Sequence, residues 1–298
     1  MTDLVATLVS NPARPAFTDA LLARLAQVLP LAGAPVRLDD GQVAADLRLA
    51  KGPDATAATA VLREAVGNAP VDVIVQPVAT RRKALFLADM DSTMIGQECI
   101  DELADFVGLK DKVSAITERA MRGELAFEPA LRERVALLAG LDIAVVDRIV
   151  AERLTLTPGG SSLVRTMRAR GGYTALVSGG FTLFTGPVAA LIGFHEHRSN
   201  LLEVEDGRLS GRVAKPILGR EAKRAALIEL RERFGVPAAA TLAVGDGAND
   251  LAMLAEAGLG VAFKAKPAVA AAAHARLDHA DLTALLYAQG YRREDFMS

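Results

Sequence analysis

Residues 84–93, Ala-Leu-Phe-Leu-Ala-Asp-Met-Asp-Ser-Thr, limit the possible folds of this chain more than any other stretch. An unbroken apolar run from Ala84 to Ala88 leads straight into Asp89 and Asp91. A short run without polar interruption marks a strand covered on both faces, as in parallel sheets flanked by helices. Ligands of such sheets bind just past the carboxyl ends of the strands, where the two aspartates fall. Alternate residues of a strand point the same way, so Asp89 and Asp91 project to one side. Two carboxylates so placed are costly unless a cation or a proton lies between them. An acidic turn closing a strand would carry the same letters, and the rest of the chain has to decide.

With 298 residues, about half of them hydrophobic and a net charge of −2, the chain is long enough for two domains. The near balance of charge argues against nucleic acid or a membrane surface as partner. The single cysteine, Cys99, excludes an internal disulfide and suits a reducing compartment. The first residues lack the basic and apolar regions of a secretory signal. No apolar run approaches the roughly 20 residues of a membrane span. A cytoplasmic enzyme is the expectation.

Residues 1–80 read as strand, helix, two strands around Asp39-Asp40-Gly41, helix and strand, the βαββαβ order of a ferredoxin-like unit. That segment carries no catalytic constellation. Thr80-Arg81-Arg82-Lys83 reads as a short solvated linker. From about 98 to 157, apolar residues recur at helical spacing in four short segments, beginning with Ile100, Leu103, Phe106 and Val107. This predicts a small helical bundle inserted after the acidic strand end, placed to cover it. Tyr173–Val177 is a second buried strand, ending in Ser178-Gly179-Gly180, which suits a hydroxyl and backbone cradle for phosphate. Asp206-Gly207 marks a hairpin between 201–205 and 208–213. His195 and His197 lack a third ligand and read as exposed polar residues. Lys223 falls in the first turn of a helix over 221–234, and Thr241–Val244 is a third buried strand, ending in Gly245-Asp246-Gly247-Ala248-Asn249-Asp250. Leu259–Phe263 is another strand, and alanine-rich helices finish the chain.

Recurrence decides the reading. Three buried strands deliver Asp89 and Asp91, then Ser178, then Asp246 and Asp250, and a parallel sheet brings those ends together. Carboxylates, a hydroxyl, a lysine and backbone amides suit a hard oxygen-liganded cation held with a phosphoryl group, for which Mg2+ is the natural choice. A Walker A sequence and a zinc-type cysteine and histidine set are both missing from the sequence.

The segments Asp89-x-Asp91-Ser92-Thr93, Ser178-Gly179, Lys223 and Gly245-Asp246-Gly247-x-Asn249-Asp250 resemble the four motifs of the haloacid dehalogenase superfamily of phosphatases. Glu98, the segment 121–127 with Met121 and Phe127, the segment 131–135 with Arg134, and Ser178–Phe181 resemble the branch of it that acts on phosphoserine. Met90 stands where phenylalanine is common. The resemblance implies an α/β fold, a Rossmann-like parallel sheet with a helical cap at about 98–157, in a phosphatase domain over 81–298. It also implies an ACT-like regulatory domain over 1–80.

For the site, the resemblance implies Asp89 as nucleophile and Asp91 as general acid and base. Mg2+ would be held by Asp89, the Asp91 backbone carbonyl and Asp246. Ser178, Gly179 and Lys223 would hold phosphoryl oxygens, with Gly180 and Asp250 as supports. Glu98 would meet the substrate ammonium and Arg134 its carboxylate, while Met121 and Phe127 close the apolar side and Asn249 binds substrate. The implied reaction is Mg2+-dependent hydrolysis of O-phosphoserine, the last step of serine biosynthesis. A small-molecule substrate is the expected partner; a homodimer and an amino-acid ligand on the N-terminal segment are left open. Two alternatives share these motifs: phosphoryl transfer to an acceptor such as homoserine, and an amino-acid sensor with a vestigial catalytic half.

Overall fold

Two sheets of different kind account for two kinds of apolar pattern. The computed structural model describes the chain except Met1, Thr2, Asp40, Lys51, Pro53, Arg122 and Gly123, and except the side chains of Ala120 and Met121. The first sheet is antiparallel. It is made by β1 (Leu4–Ser10), β2 (Val36–Arg37), β3 (Ala44–Leu49) and β4 (Val71–Pro77), with α1 (Asp19–Val28) after β1 and α2 (Ala55–Val66) after β3. The strand order β2-β3-β1-β4 is that of the expected split βαβ unit. Both helices start at side-chain caps, Thr18 Oγ1 on the Leu21 N–H and Asp54 Oδ1 on the Ala57 N–H. Their apolar faces, Leu21 and Leu25 from α1 and Ala58 and Leu62 from α2, pack on Leu4, Ala6 and Leu8.

The second sheet is six-stranded and parallel. After β5 (Leu85–Ala88) come α3 (Cys99–Phe106), α4 (Lys110–Met121), α5 (Phe127–Ala136) and α6 (Ala144–Glu152), the expected helical cap. The chain then runs through α7 (Gly160–Ala169), β6 (Tyr173–Phe181), α8 (Thr182–Ile192), β7 (Glu196–Asn200), the hairpin β8 (Leu202–Glu205) and β9 (Arg208–Val213), and α9 (Arg220–Arg233). It ends with β10 (Thr241–Gly245), α10 (Leu251–Glu256), β11 (Leu259–Phe263), α11 (Pro267–Ala272), β12 (Ala275–Leu277) and α12 (Ala284–Ala288). The strand order is β12-β11-β10-β5-β6-β7, so the three motif-bearing strands are neighbours at its centre. Alternation explains the double coverage: Leu85 and Leu87 face α9 and α10, while Phe86 and Ala88 face the other side. β12 and α8 had no clear mark in the sequence. Among the described residues, no helix is long and apolar enough to cross a membrane.

The reading of 80–83 as a solvated linker is corrected. Lys83 is buried, and Arg81 braces the two sheets: its guanidinium binds both Asp46 oxygens at 2.8 and 3.1 Å and the Tyr287 and Ala288 carbonyls at 3.2 and 3.1 Å. Val9, Ala44 and Ile74 of the antiparallel sheet, with Val43 just before β3, lie in the same apolar cluster as Leu285, Leu286 and Tyr287. Asp72 of β4, itself buried, accepts the N–H groups of Asp278, His279 and Ala280 at 2.9, 3.1 and 2.8 Å. Asp72→Ala would strand three donors, so it is expected to lower unfolding free energy by about 2–4 kcal/mol in a denaturant titration. A loss under about 1 kcal/mol would show that the joint does not depend on this carboxylate.

Candidate active site

The carboxyl ends of β10, β5 and β6 lie side by side, and the expected polar residues collect there. Asp89 follows β5 and hydrogen-bonds by its N–H to the Val244 carbonyl of β10 at 3.0 Å. Its Oδ1 accepts the Met90 N–H at 2.8 Å and contacts Lys223 Nζ at 2.7 Å. The same ammonium donates to Asp250 Oδ1 at 2.7 Å. Lys223 is thus fully buried between two carboxylates rather than solvent-facing, the ordinary fate of a helix lysine. Asp250 bends back to take the Gly247 N–H on Oδ2 at 3.0 Å, and only glycine at 245 allows this, since a Cβ there would sit 2.4 Å from the carboxylate. Asp246 accepts the Thr93 hydroxyl at 2.9 Å.

Asp91 and Ser178 form the second half of the site. Asp91 Oδ1 accepts the Cys99 N–H at 3.2 Å, and Ser178 Oγ accepts the Gly180 N–H at 2.9 Å. A Cβ at Gly180 would lie 2.9 Å from Asp91 Oδ2 and 3.1 Å from Ser178 Oγ, so the missing side chain lets these groups approach. Ser92, next to Asp91, has a left-handed backbone with φ of 55°, a conformation that non-glycine residues adopt at a cost of order 1 kcal/mol.

Burial and mutual repulsion dominate the charges. Desolvation first, then Glu98 and Asp89, push the Asp91 carboxyl up to about 8 against the pull of the Cys99 thiol and N–H. Burial and Asp89 push Asp246 to about 7, and burial and Asp89 push Asp250 to about 7 although Lys223 opposes this. Burial alone would lower the Lys223 ammonium, but Asp250 and Asp89 outweigh it and hold the proton more tightly than usual. Asp89, Asp246 and Asp250 each offer an oxygen within 4.8 Å of the others. One ammonium leaves this all-oxygen set with surplus negative charge, and a hard divalent cation fits it. The Asp91 carboxylate is not in that group.

The cap closes over these residues. The Phe127 ring lies over two glycines: a Cβ at Gly179 would be 3.5 Å from its Cζ, and one at Gly219 3.3 Å from its Cδ1. Glu98, at the rim, accepts the Ser92 hydroxyl at 2.7 Å. Desolvation, Asp89 and Asp101 raise its pKa, while Ser92 and Arg134 lower it. Arg134 donates from Nε to the Ala130 carbonyl and from Nη1 to Thr117 Oγ1, both at 3.1 Å. Burial lowers its pKa and the charges of Asp101 and Glu98 raise it. Asn249 turns its Oδ1 over Gly247. The Met121 side chain lies outside the described residues. The sequence assigns no site role of their own to Thr93, Cys99 and Asp101. Their contacts run through a hydroxyl, a backbone N–H and a long-range charge, none of which leaves a pattern in the letters.

Residues 86–255 match the family model of the haloacid dehalogenase-like hydrolases. A phosphoserine phosphatase of Streptomyces coelicolor is 46% identical over 227 residues, which span 76% of this chain and 55% of that protein. The chain therefore covers little more than half the length of the first curated relatives it matches. Among solved structures, a haloacid dehalogenase family hydrolase from Salmonella enterica serovar Typhi aligns with a TM-score of 0.84 at 30% identity, over 96% of this chain and 98% of that one. A phosphoserine phosphatase carrying an analogue of the phospho-aspartyl intermediate aligns with a TM-score of 0.65 at 38% identity, over 69% of this chain and 98% of that one. Motifs on adjacent strand ends, a helical cap above them and a family match across most of the parallel-sheet part lead to one assignment: the chain belongs to the haloacid dehalogenase-like hydrolases.

Proposed function

We propose that the chain hydrolyses O-phosphoserine to serine and phosphate through a phosphoryl group carried on Asp89. The observation that carries this reading is the different surroundings of two carboxylates at one strand end, Asp89 against a buried ammonium and Asp91 against a backbone N–H. Asp89 is ion-paired with the Lys223 ammonium at 2.7 Å, while burial, Glu98 and Asp89 push the neighbouring Asp91 carboxyl up to about 8. Oδ1 of Asp89 is engaged by Lys223 and the Met90 N–H, which leaves Oδ2 for attack on phosphorus. As the bond from phosphorus to the serine oxygen breaks, Asp91 gives its proton to that oxygen. Asp91 then takes a proton from the water that attacks the phospho-aspartate, releasing phosphate and restoring both residues. Lys223, the Ser178 hydroxyl and the Gly179 backbone hold the phosphoryl oxygens, and the Phe127 ring excludes water above them. Mg2+, bound by Asp89, the Asp91 carbonyl and Asp246, would neutralise charge on the phosphoryl group.

Substrate choice falls to the cap on this reading. Glu98 has the sign for the substrate ammonium and Arg134 the planar fork for its carboxylate. Asn249 orders the loop that carries Asp246 and contacts substrate, with Gly180 and Asp250 in support. The same reading makes 1–80 an ACT-like regulatory domain with an amino-acid ligand, in a cytoplasmic dimer that completes serine biosynthesis. Residues 81–298 are then the phosphatase domain. The relatives that act on phosphoserine by name support the substrate.

Asp89→Asn should cut phosphate release from O-phosphoserine by roughly three orders of magnitude or more, with an unchanged circular dichroism spectrum. Substantial residual turnover in that variant would sink the covalent route. Chelation of divalent ions should abolish turnover and Mg2+ restore it; full activity after chelation would reject the metal. Arg134→Ala should raise KM for phosphoserine about 10–100-fold, the worth of a charge-assisted contact, and leave an aryl phosphate nearly unaffected. Equal losses on both substrates would mean that Arg134 supports the cap and does not read the carboxylate.

A further inference from the structure

The end of β6 is not a regular strand. Val177 pairs with Arg198 and Phe181 with Asn200, so β6 advances four residues (177 to 181) while β7 advances two (198 to 200). The surplus lifts Ser178, Gly179 and Gly180 out of the ladder, as bulges beside functional sites do. Asn200, itself fully buried, spans the irregularity. Its Nδ2 donates to the Gly179 carbonyl at 2.8 Å and the Leu218 carbonyl at 3.2 Å, and its Oδ1 accepts the Leu218 N–H at 2.6 Å. Two carbonyls facing one end of the amide and an N–H facing the other fix its orientation.

A trans peptide unit points its C=O and N–H in opposite directions. The unit joining Gly179 to Gly180 is held at both ends, its C=O by Asn200 and its N–H by Ser178 Oγ at 2.9 Å. The Ser178 oxygen is thereby taken as an acceptor, and its hydroxyl hydrogen stays available to donate. On the other side of Asn200, Leu218 precedes Gly219, whose carbonyl accepts the N–H groups of Ala222 and Lys223 at 3.1 and 3.3 Å as α9 begins. One side-chain amide ties the segment bearing Ser178 to the segment bearing Lys223.

We propose that Asn200 is a positioning residue for phosphoryl binding, its amide setting the separation of the Ser178 hydroxyl and the Lys223 ammonium. The inference rests on the reading above in taking those two groups as holders of phosphoryl oxygens. Asn200 is covered by protein and acts through the groups it ties together, so its loss changes geometry and leaves every reacting group in place.

Titration calorimetry with inorganic phosphate in the presence of Mg2+ tests this without turnover. Asn200→Ala should weaken phosphate binding roughly tenfold or more, the usual effect of removing a group that orients a binding residue. Asn200→Ser keeps a small donor toward Gly179 and carries the test should Asn200→Ala not fold. KM for phosphoserine and for an aryl phosphate should rise by the same factor, because Glu98 and Arg134 are untouched. Asp72→Ala is the control for simple destabilisation, with a lower Tm and unchanged phosphate affinity. Folded Asn200 variants that bind phosphate as the parent does would overturn the proposal, as would an equal loss in Asp72→Ala. A parent chain that binds phosphate but cleaves only other phosphomonoesters would count against phosphoserine and not against Asn200.

Discussion

The Lys223 ammonium has left water entirely, and the two carboxylates 2.7 Å from it are what make this tolerable. Burying an unpaired ammonium costs several kcal/mol even after relaxation, and only close, hydrogen-bonded partners offset that cost. The dependence runs both ways. Without the ammonium, Asp89 and Asp250 would share a dry pocket with Asp246, and their ionised forms would repel one another. One charge triad therefore sets the mutual position of three segments distant in sequence: the end of β5, the first turn of α9 and the loop after β10. It does not neutralise the site. Asp246 and Asp250 remain pushed up to about 7 and Asp91 to about 8. Burial is the first cause of those shifts, and a hard divalent cation among the oxygens of Asp89, Asp246 and Asp250 would relieve the repulsion that adds to it.

The antiparallel sheet is joined to this arrangement through polar contacts as much as apolar ones. One face of the sheet is covered by α1 and α2, and the other shares its apolar cluster with α12. Arg81 threads that second face, touching Thr7 and Asp46 on one side and the Tyr287 and Ala288 carbonyls on the other. A guanidinium so enclosed must have its donors met, which fixes the angle between the parts more sharply than apolar packing alone. The close approach extends to Gly290, where a Cβ would sit 2.8 Å from Arg81 Cζ.

The sequence made legible whatever is written in local periodicity. The central strands are apolar without interruption because helices cover both faces, and the βαββαβ order of the first unit was readable because its strands and helices differ in period. Tertiary partners leave no such mark. Arg81 and Lys83 look like a basic linker in one dimension, because the Asp46 carboxylate and the Tyr287 and Ala288 carbonyls that receive Arg81 lie elsewhere in the chain. Strand β12 has three residues with Arg276 at its centre, too short and too polar to show a strand pattern. Of the site, the motif aspartates, Ser178 and Lys223 were legible as letters, but the burial of Lys223 was not, since it depends on where Asp250 folds back.

What the site lacks is as specific as what it contains. Gly180 lets Asp91 and Ser178 come together, and Gly245 lets Asp250 reach Lys223. The cap uses the same device, for the Phe127 ring comes down where Gly179 and Gly219 expose backbone. The cap is also held from its other end, because the β8–β9 hairpin that follows Asn200 bonds the turn between α5 and α6. Gly140 donates to the Leu209 carbonyl at 2.8 Å, and Ile143 to the Gly207 carbonyl at 3.0 Å. The hairpin therefore links the segment after Asn200 to the cap through these backbone bonds, the Arg208 guanidinium on the Gly140 carbonyl at 2.8 Å, and the packing of Leu209 with Val135 and Leu138. A displacement of the cap would have to break those contacts or carry the hairpin, and with it the segment between β7 and α9, along.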